Sequence, residues 1–179
     1  MTETQRYNAE LVKAMEWLAD QPGTGFVGQA VKYAGTGMFD SLKTIPDIKK
    51  LEFPVAENFQ VGFCTGLALT GLTPICIMPR WNFLICATDQ IVNHLDKLVD
   101  MSDGGYHPRV IIRVAVGTEI PVDPQDQHRG NFAAAFRSML KNTEVVELHN
   151  PEDIVQAYKD AYDRFGSTIL VEFPDYGKR

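Results

Sequence analysis

Apolar positions at helical spacing run through residues 8–19, with Leu11, Met15 and Leu18 on one face, and predict a first helix. Gln21-Pro22-Gly23 stops it. Residues 25–31 read as a first strand centred on Phe26-Val27, and 32–50 as loop with a short helix. Residues 51–55 form a short strand whose Pro54 suits an edge or a strand end. Residues 57–70 make a helix almost without charge, so burial on most sides is expected, and Gly71 ends it. A buried strand follows at 75–78, ended by Pro79. A long helix is expected over 83–99, with Ile85, Val92, Leu95 and Val99 toward the core. Residues 109–116 are the clearest β-branched run, followed by a loop through Gln127. A helix over 131–140 and a strand over 143–148 come next. Asn150 reads as a helix cap, with Pro151 at the first helical position and Glu152-Asp153 in the first turn. That helix runs to Phe165, Gly166 ends it, and 168–173 is the last strand.

Short apolar strands alternating with helices imply an α/β fold: a single domain with a mainly parallel sheet and helices on both faces. The expected organisation is one domain over 1–179, with an N-terminal helix and linker at 1–24, a core at 25–175, and no further domain after the last strand.

Composition narrows the function classes. Apolar residues make up 45% and charged residues 22%, near globular averages. No apolar run approaches the roughly 20 residues of a spanning helix, and residues 1–10 lack the apolar centre of a secretion signal. The net charge is -6 and the densest basic cluster is Lys49-Lys50, so neither nucleic acid nor membrane is an expected partner. Cys64, Cys76 and Cys86 are odd in number, form no C-x-x-C pair and each lie in an apolar segment. They read as reduced core residues of a cytoplasmic protein.

Candidate chemistry concentrates at strand ends. Glu57 follows the short strand and opens the apolar helix, at the carboxyl end of a strand, where open α/β sheets place ligands. There it is partly desolvated and suited to proton chemistry, although position alone is met more simply by a carboxylate at a helix N-terminus. Met78-Pro79-Arg80-Trp81-Asn82-Phe83 ends the next strand and borders the same crevice. Trp81 or Phe83 there could stack on a flat heterocycle, or serve as packing. Gly62 and Gly66 on the apolar helix suggest a close neighbour. Of His94, His107, His128 and His149, no pair has metal-ligand spacing. His128 stands out in the polar loop 123–130, between a strand and a helix, where an imidazole can shuttle protons or simply be solvated. No nucleophile elbow, phosphate loop or dinucleotide fingerprint occurs.

Taken in order, these pieces resemble a known family. Phe53-Pro54-Val55-Ala56-Glu57-Asn58, Val61-Gly62-Phe63, Gly66-Leu67-Ala68, Gly71-Leu72 and Pro74-Ile75 are similar to the pyrimidine-binding domain of thiamine-diphosphate-dependent enzymes. The likeness is closest to the β subunit of the decarboxylating component of 2-oxo acid dehydrogenase complexes, with transketolase more distant. It continues through Trp81-Asn82-Phe83, Asp89-Gln90-Ile91-Val92-Asn93, Ser102-Asp103-Gly104-Gly105, Gln127-His128 and Asn150-Pro151-Glu152-Asp153, covering about residues 25–175.

The resemblance implies that Glu57 hydrogen-bonds ring nitrogen N1′ of the cofactor's aminopyrimidine and so controls proton removal from its thiazolium. It implies that Trp81 or Phe83 stacks on the aminopyrimidine, and that His128 lines the active site for acyl transfer or substrate protonation. The cofactor supplies the electron sink and the protein supplies orientation and proton control. In this family the diphosphate and its Mg2+ are held by a second domain with a Gly-Asp-Gly motif and a downstream asparagine; this chain has only Asp103-Gly104-Gly105. The resemblance therefore implies a separate diphosphate-binding subunit, an active site formed between chains, and a heterotetramer of two such pairs.

The chain also departs from the family. Gly28-Gln29-Ala30-Val31 stands where the β subunit carries Gly-Glu-Glu-Val, Arg129-Gly130 replaces Ser-Gln after the histidine, and the loop 117–126 is rich in Pro and Asp rather than Gly. The third, transketolase-like domain is expected to be absent. The leading expectation is the pyrimidine-binding subunit of a two-chain enzyme acting on a 2-oxo acid by decarboxylation or acyl transfer. A subunit of a split transketolase-like ketol transferase and a degenerate, non-catalytic assembly module stay open beside it.

Overall fold

A computed structural model of the chain describes residues 1–34, 36–117 and 125–174. Part of the Pro- and Asp-rich loop 117–126, and the last residue of the expected core, 175, lie outside the described residues.

Thr2 and Gln5 form a reciprocal capping box, so helix α1 (Glu3–Asp20) begins well before the apolar pattern does. It buries Tyr7, Leu11, Ala14, Met15 and Leu18. Strand β1 (Thr24–Gly28) ends earlier than expected because the chain turns at Gln29. After α2 (Gly37–Asp40) and a short turn at Asp47–Lys49 comes β2 (Lys50–Glu52). Helix α3 (Glu57–Leu69) and strand β3 (Thr73–Met78) follow, then α4 (Trp81–Leu84), α5 (Leu98–Met101), β4 (Ile111–Ala115), α6 (Ala133–Met139), β5 (Glu144–Glu147), α7 (Pro151–Asp163) and β6 (Thr168–Glu172).

The six strands form one sheet in the order β2-β1-β3-β4-β6-β5, with every neighbouring pair parallel. Pro54 fits as expected, since β2 is an edge strand. Alternation along the strands divides the core in two. Val27, Cys76, Met78, Ile112, Val114, Ile169 and Val171 face one side with Val61, Cys64, Trp81 and Phe136. Phe26, Ile75, Ile77, Ile111 and Leu170 face the other with Leu11, Met15, Ile154 and Tyr158. Helix α1 thus belongs to this second layer, packed along α7, and its Tyr7 hydroxyl donates to Leu148 O (2.8 Å) and accepts from Phe173 N (2.9 Å).

Four expectations are corrected. The helix expected over 83–99 is divided among α4, a tight turn at Ile85–Ala87, a wide turn at Gln90–Leu95 and α5. The wide turn, closed by Asp96 N to Ile91 O (2.9 Å), lets Ile91, Leu95 and the adjoining Asp96 all be buried. The Asp96 carboxylate then accepts from the backbone N–H groups of Lys141, Asn142 and Thr143, which plain α geometry would have to give up. Ile85 is consequently exposed, while Leu84, Ala87, Ile91 and Leu95 line the core. Helix α3 is buried on one side only: Phe59 is 61% exposed, and its ring clusters with Phe53 and Phe63 at 5.4 and 6.4 Å on an uncharged outer face. Cys64 and Cys76 are core residues but Cys86 is exposed, and all three are free. Hydrogen bonding with Cys76, together with burial, holds the Cys64 thiol well above its ordinary range, which keeps it protonated and inert. Asn150 stands at the N-cap of α7 before Pro151 as expected, but its side chain makes no backbone cap; it donates to the Asp153 carboxylate (2.9 Å).

Candidate active site

The chain leaves β1 toward the edge strand β2 and leaves β3 toward β4 on the opposite side. The carboxyl ends of β1 and β3 therefore flank a topological switch point, where parallel sheets open a crevice for ligands. Gln29 follows β1, Arg80 and α4 follow β3, and Glu57 opens α3 after β2.

Glu57 is half-buried, the first residue of α3 and the one acidic residue of its first turn. Its Oε1 accepts a hydrogen bond from Gln29 Nε2 at 3.3 Å. The neutral Gln29 thus makes a donor contact where the family-like Gly-Glu-Glu-Val would bring acids. One turn along α3, the wholly buried Gln60 donates to Val27 O (3.2 Å) and Ile77 O (2.9 Å). These bonds fix the head of the helix over β1 and β3. Gly62 lets Gln90 pack close to α3, since a Cβ there would lie 3.1 Å from Gln90 Oε1. A Cβ at Gly66 would meet nothing within 4 Å beyond its own helix among the described residues, so the expected close contact is made at one glycine of the pair.

The two aromatic candidates separate. Trp81 is fully buried, with its ring 5.1 Å from Phe136 and 6.4 Å from Phe132, and its Nε1 has no hydrogen-bond partner among the described residues. Phe83 is half-buried and its ring lies 5.3 Å from the His128 imidazole at 52°. His128 closes a short turn, Asp126–His128, and its Nδ1 is buried without a partner among the described residues. The structure therefore pairs Gln29 with Glu57 and Phe83 with His128. No hydrogen bond joins the two pairs among the described residues, and both belong to segments at the carboxyl side of the sheet.

Gly117, just after β4, seats the His128 turn. A Cβ there would collide with His128 O and lie 2.7 Å from its carbonyl carbon. Gly117→Ala is expected to cost about 1–3 kcal/mol of stability as the turn is pushed away. Urea unfolding of the variant checks this, and an unchanged midpoint would show that the turn rests elsewhere.

Sequence reasoning missed Gln29 as the partner of Glu57, and it missed Glu52 and Gly117. Glu52 accepts backbone bonds from Ala30, Val31 and Lys32 at 2.7, 2.9 and 2.8 Å. A carboxylate on an edge strand carries no local signal of that task, and a glycine's close neighbour from a distant loop carries none either.

No family model matches the chain. The chain is 30% identical over 178 residues to the pyruvate dehydrogenase E1 component subunit beta of Gracilaria tenuistipitata var. liui, covering 96% of this chain and 53% of that protein. It is 35% identical over 119 residues to the mitochondrial subunit of Ascaris suum, covering 66% and 32%. The chain thus spans between about a third and about half the length of the curated relatives it matches. Among solved structures, a split gene transketolase described as an inactive beta4 tetramer superposes with a TM-score of 0.68 at 19% identity, over 97% of this chain and 52% of that one. This chain is accordingly a homologue of the pyruvate dehydrogenase E1 β subunits, and it shares its fold with the split gene transketolase.

Proposed function

We propose that the chain is the pyrimidine-binding subunit of a two-chain thiamine-diphosphate enzyme acting on a 2-oxo acid, by decarboxylation or acyl transfer. The observation that carries this reading is Glu57: a half-buried carboxylate at the switch point, with Oε1 held by Gln29 and no hydrogen bond to Oε2 among the described residues. An aminopyrimidine fits these groups. Oε2 can accept from a protonated ring nitrogen, and the partly exposed Phe83 ring offers a face to the heterocycle. Trp81, enclosed by Phe132 and Phe136, suits packing instead.

When bound, the cofactor supplies an electron sink next to the substrate carbonyl. Glu57 holds or releases the proton at the aminopyrimidine ring nitrogen. Phe83 orients the ring and sheds water from one face. His128, beside Phe83 and with a buried Nδ1 that has no hydrogen-bond partner among the described residues, holds or gives a proton on the substrate side. The diphosphate and Mg2+ are assigned to a separate subunit carrying Gly-Asp-Gly and an asparagine. The uncharged outer face of α3, with Phe59 exposed and Phe63 half-buried beside Phe53, suits burial against another subunit within a heterotetramer. The location that goes with this reading is the cytoplasm, argued from the free thiols of Cys64, Cys76 and Cys86.

The test is purification of the tagged chain from its native cells, followed by identification of what accompanies it and assay for bound thiamine diphosphate. The expected result is a subunit bearing Gly-Asp-Gly, bound cofactor, and CO2 release from a 2-oxo acid. Turnover of ketose phosphates instead would establish ketol transfer. A lone chain that takes up no thiamine diphosphate with added Mg2+ would overturn the enzyme reading in favour of an assembly module.

A further inference from the structure

We propose that Glu52 is a positioning residue for Glu57: its carboxylate clamps the turn after β1 so that the Gln29 amide holds Glu57 Oε1 and leaves Oε2 for the ligand. The inference rests on the function proposed above, in which Glu57 handles the proton of the aminopyrimidine.

The turn between Gly28 and Lys32 is pinned on both sides. Gly28 pairs with Glu52 across the sheet, and its carbonyl accepts from Phe53 N at 2.8 Å. It sits so close to β3 that a Cβ would lie 2.7 Å from both Cβ and O of Ile77. The chain therefore leaves β1 at a fixed point. Beyond Gln29, three successive backbone N–H groups converge on one carboxylate: Ala30 N on Glu52 Oε1, and Val31 N and Lys32 N on Oε2. Successive N–H groups gathered this way form a concavity that favours an anion. Ala30 holds a left-handed φ of 53°, an uncommon state for a residue with a Cβ. The Glu52 clamp is what holds it there.

Gln29 is thus suspended between two fixed residues, and its side chain has one direction to take. An ionised carboxylate can only accept, so the amide turns its NH2 toward Glu57. The consequence is a Glu57 side chain with one oxygen occupied. Without that bond the carboxylate rotates more freely, and geometric looseness in a proton-transferring group costs rate more than binding.

Glu52→Gln and Gln29→Ala test this. Glu52→Gln keeps the shape but turns an N–H donor toward backbone N–H groups; Gln29→Ala removes only the outer link. In the full chain, hydrogen exchange at the 30–32 amides is expected to quicken about tenfold or more in Glu52→Gln. It should be unchanged in Gln29→Ala. In the chain purified with its accompanying subunit and supplied with thiamine diphosphate and Mg2+, each variant is expected to lose about tenfold in kcat with KM for the 2-oxo acid within about twofold. The double variant should be no worse than either single one, because both act through the same bond. Quickened exchange with normal kcat in both variants would make the clamp merely structural and overturn the proposal. So would additive losses in the double variant, or unchanged exchange in Glu52→Gln. If Glu57→Ala keeps full turnover, the proposed function fails as well; if Glu57→Ala is inactive while the two variants are normal, this inference fails alone.

Discussion

Glu57→Ala is expected to lower turnover by about a thousandfold or more while leaving the chain folded. The rate effect follows from the role assigned to it. A positioned acid or base contributes on the order of 10²–10⁴ in rate. No other carboxylate of this chain stands at the head of α3 to replace it. The stability effect is small for a separate reason. Glu57 is half-buried, makes one side-chain hydrogen bond among the described residues, and favours the helix mainly through the dipole at its N-terminus. Such interactions contribute about 0.3–1 kcal/mol. The Gln60 bonds to Val27 O and Ile77 O continue to hold the helix head. CO2 release from a 2-oxo acid, measured on the complex with thiamine diphosphate and Mg2+ added, reads the first effect; urea unfolding of the chain alone reads the second. Glu57→Gln separates the proton from the hydrogen bond, since an amide fills the space but cannot take up a proton. It should be nearly as inactive as alanine. Full turnover in Glu57→Ala removes the assignment.

Most of the fold was legible because it rests on local signals. Continuous apolar runs such as Ile75 to Met78, flanked by helices, can be satisfied only in a sheet covered on both faces, and β3 is buried throughout. Pro54 pointed to an edge or a strand end, and β2 is an edge strand; Gly23, Gly71 and Gly166 mark chain reversals with φ of 73°, 89° and 137°. Failures came where distant groups decide. The stretch after Trp81 read as one helix with Ile85, Val92, Leu95 and Val99 toward the core; Leu84, Ala87, Ile91 and Leu95 are buried instead, and the wide turn among them answers to Asp96 meeting the 141–143 backbone. The site divides in the same way. Glu57 and His128 were visible as polar residues at strand ends. The different surroundings of Trp81 and Phe83 were not, because they depend on Phe132 and Phe136 enclosing one and His128 meeting the other. Gln29 read as a lost acid, although its amide is the group that touches Glu57.

The largest stability effect is expected at Glu172. Arg113 lies in the middle of β4 and is 0% exposed; Glu172 ends β6 at 3%. Arg113 Nε and Nη2 donate to the two Glu172 oxygens at 2.7 and 3.0 Å, and Nη2 also donates to Ser41 Oγ at 3.1 Å. The Tyr158 hydroxyl makes a short hydrogen bond to Glu172 Oε1. Although burial opposes its charge, the adjacent Glu172 and the Tyr158 contact raise the guanidinium further above its already high range, so it keeps its proton. Burial and the Glu172 charge likewise keep the Tyr158 hydroxyl protonated. Removing the carboxylate leaves the Arg113 cation in the core, out of reach of water, and a guanidinium keeps its proton even when buried. Breaking one partner of such a pair costs about 3–5 kcal/mol, a large share of the roughly 5–15 kcal/mol that holds a domain folded. Glu172→Ala should thus shift the urea midpoint far down with little change in slope. Arg113→Met with Glu172→Leu removes both charges together, and should return stability to within about 2 kcal/mol of the original. That contrast separates a stranded charge from simple loss of packing: if the double variant is as unstable as Glu172→Ala, volume rather than charge governs the site. The same strand end reaches the active crevice, since Val116 N donates to Glu172 O at 2.9 Å just before Gly117. A chain relaxed at Glu172 should therefore also loosen the seat of the His128 turn, and hydrogen exchange at Val116 is the local readout of that coupling.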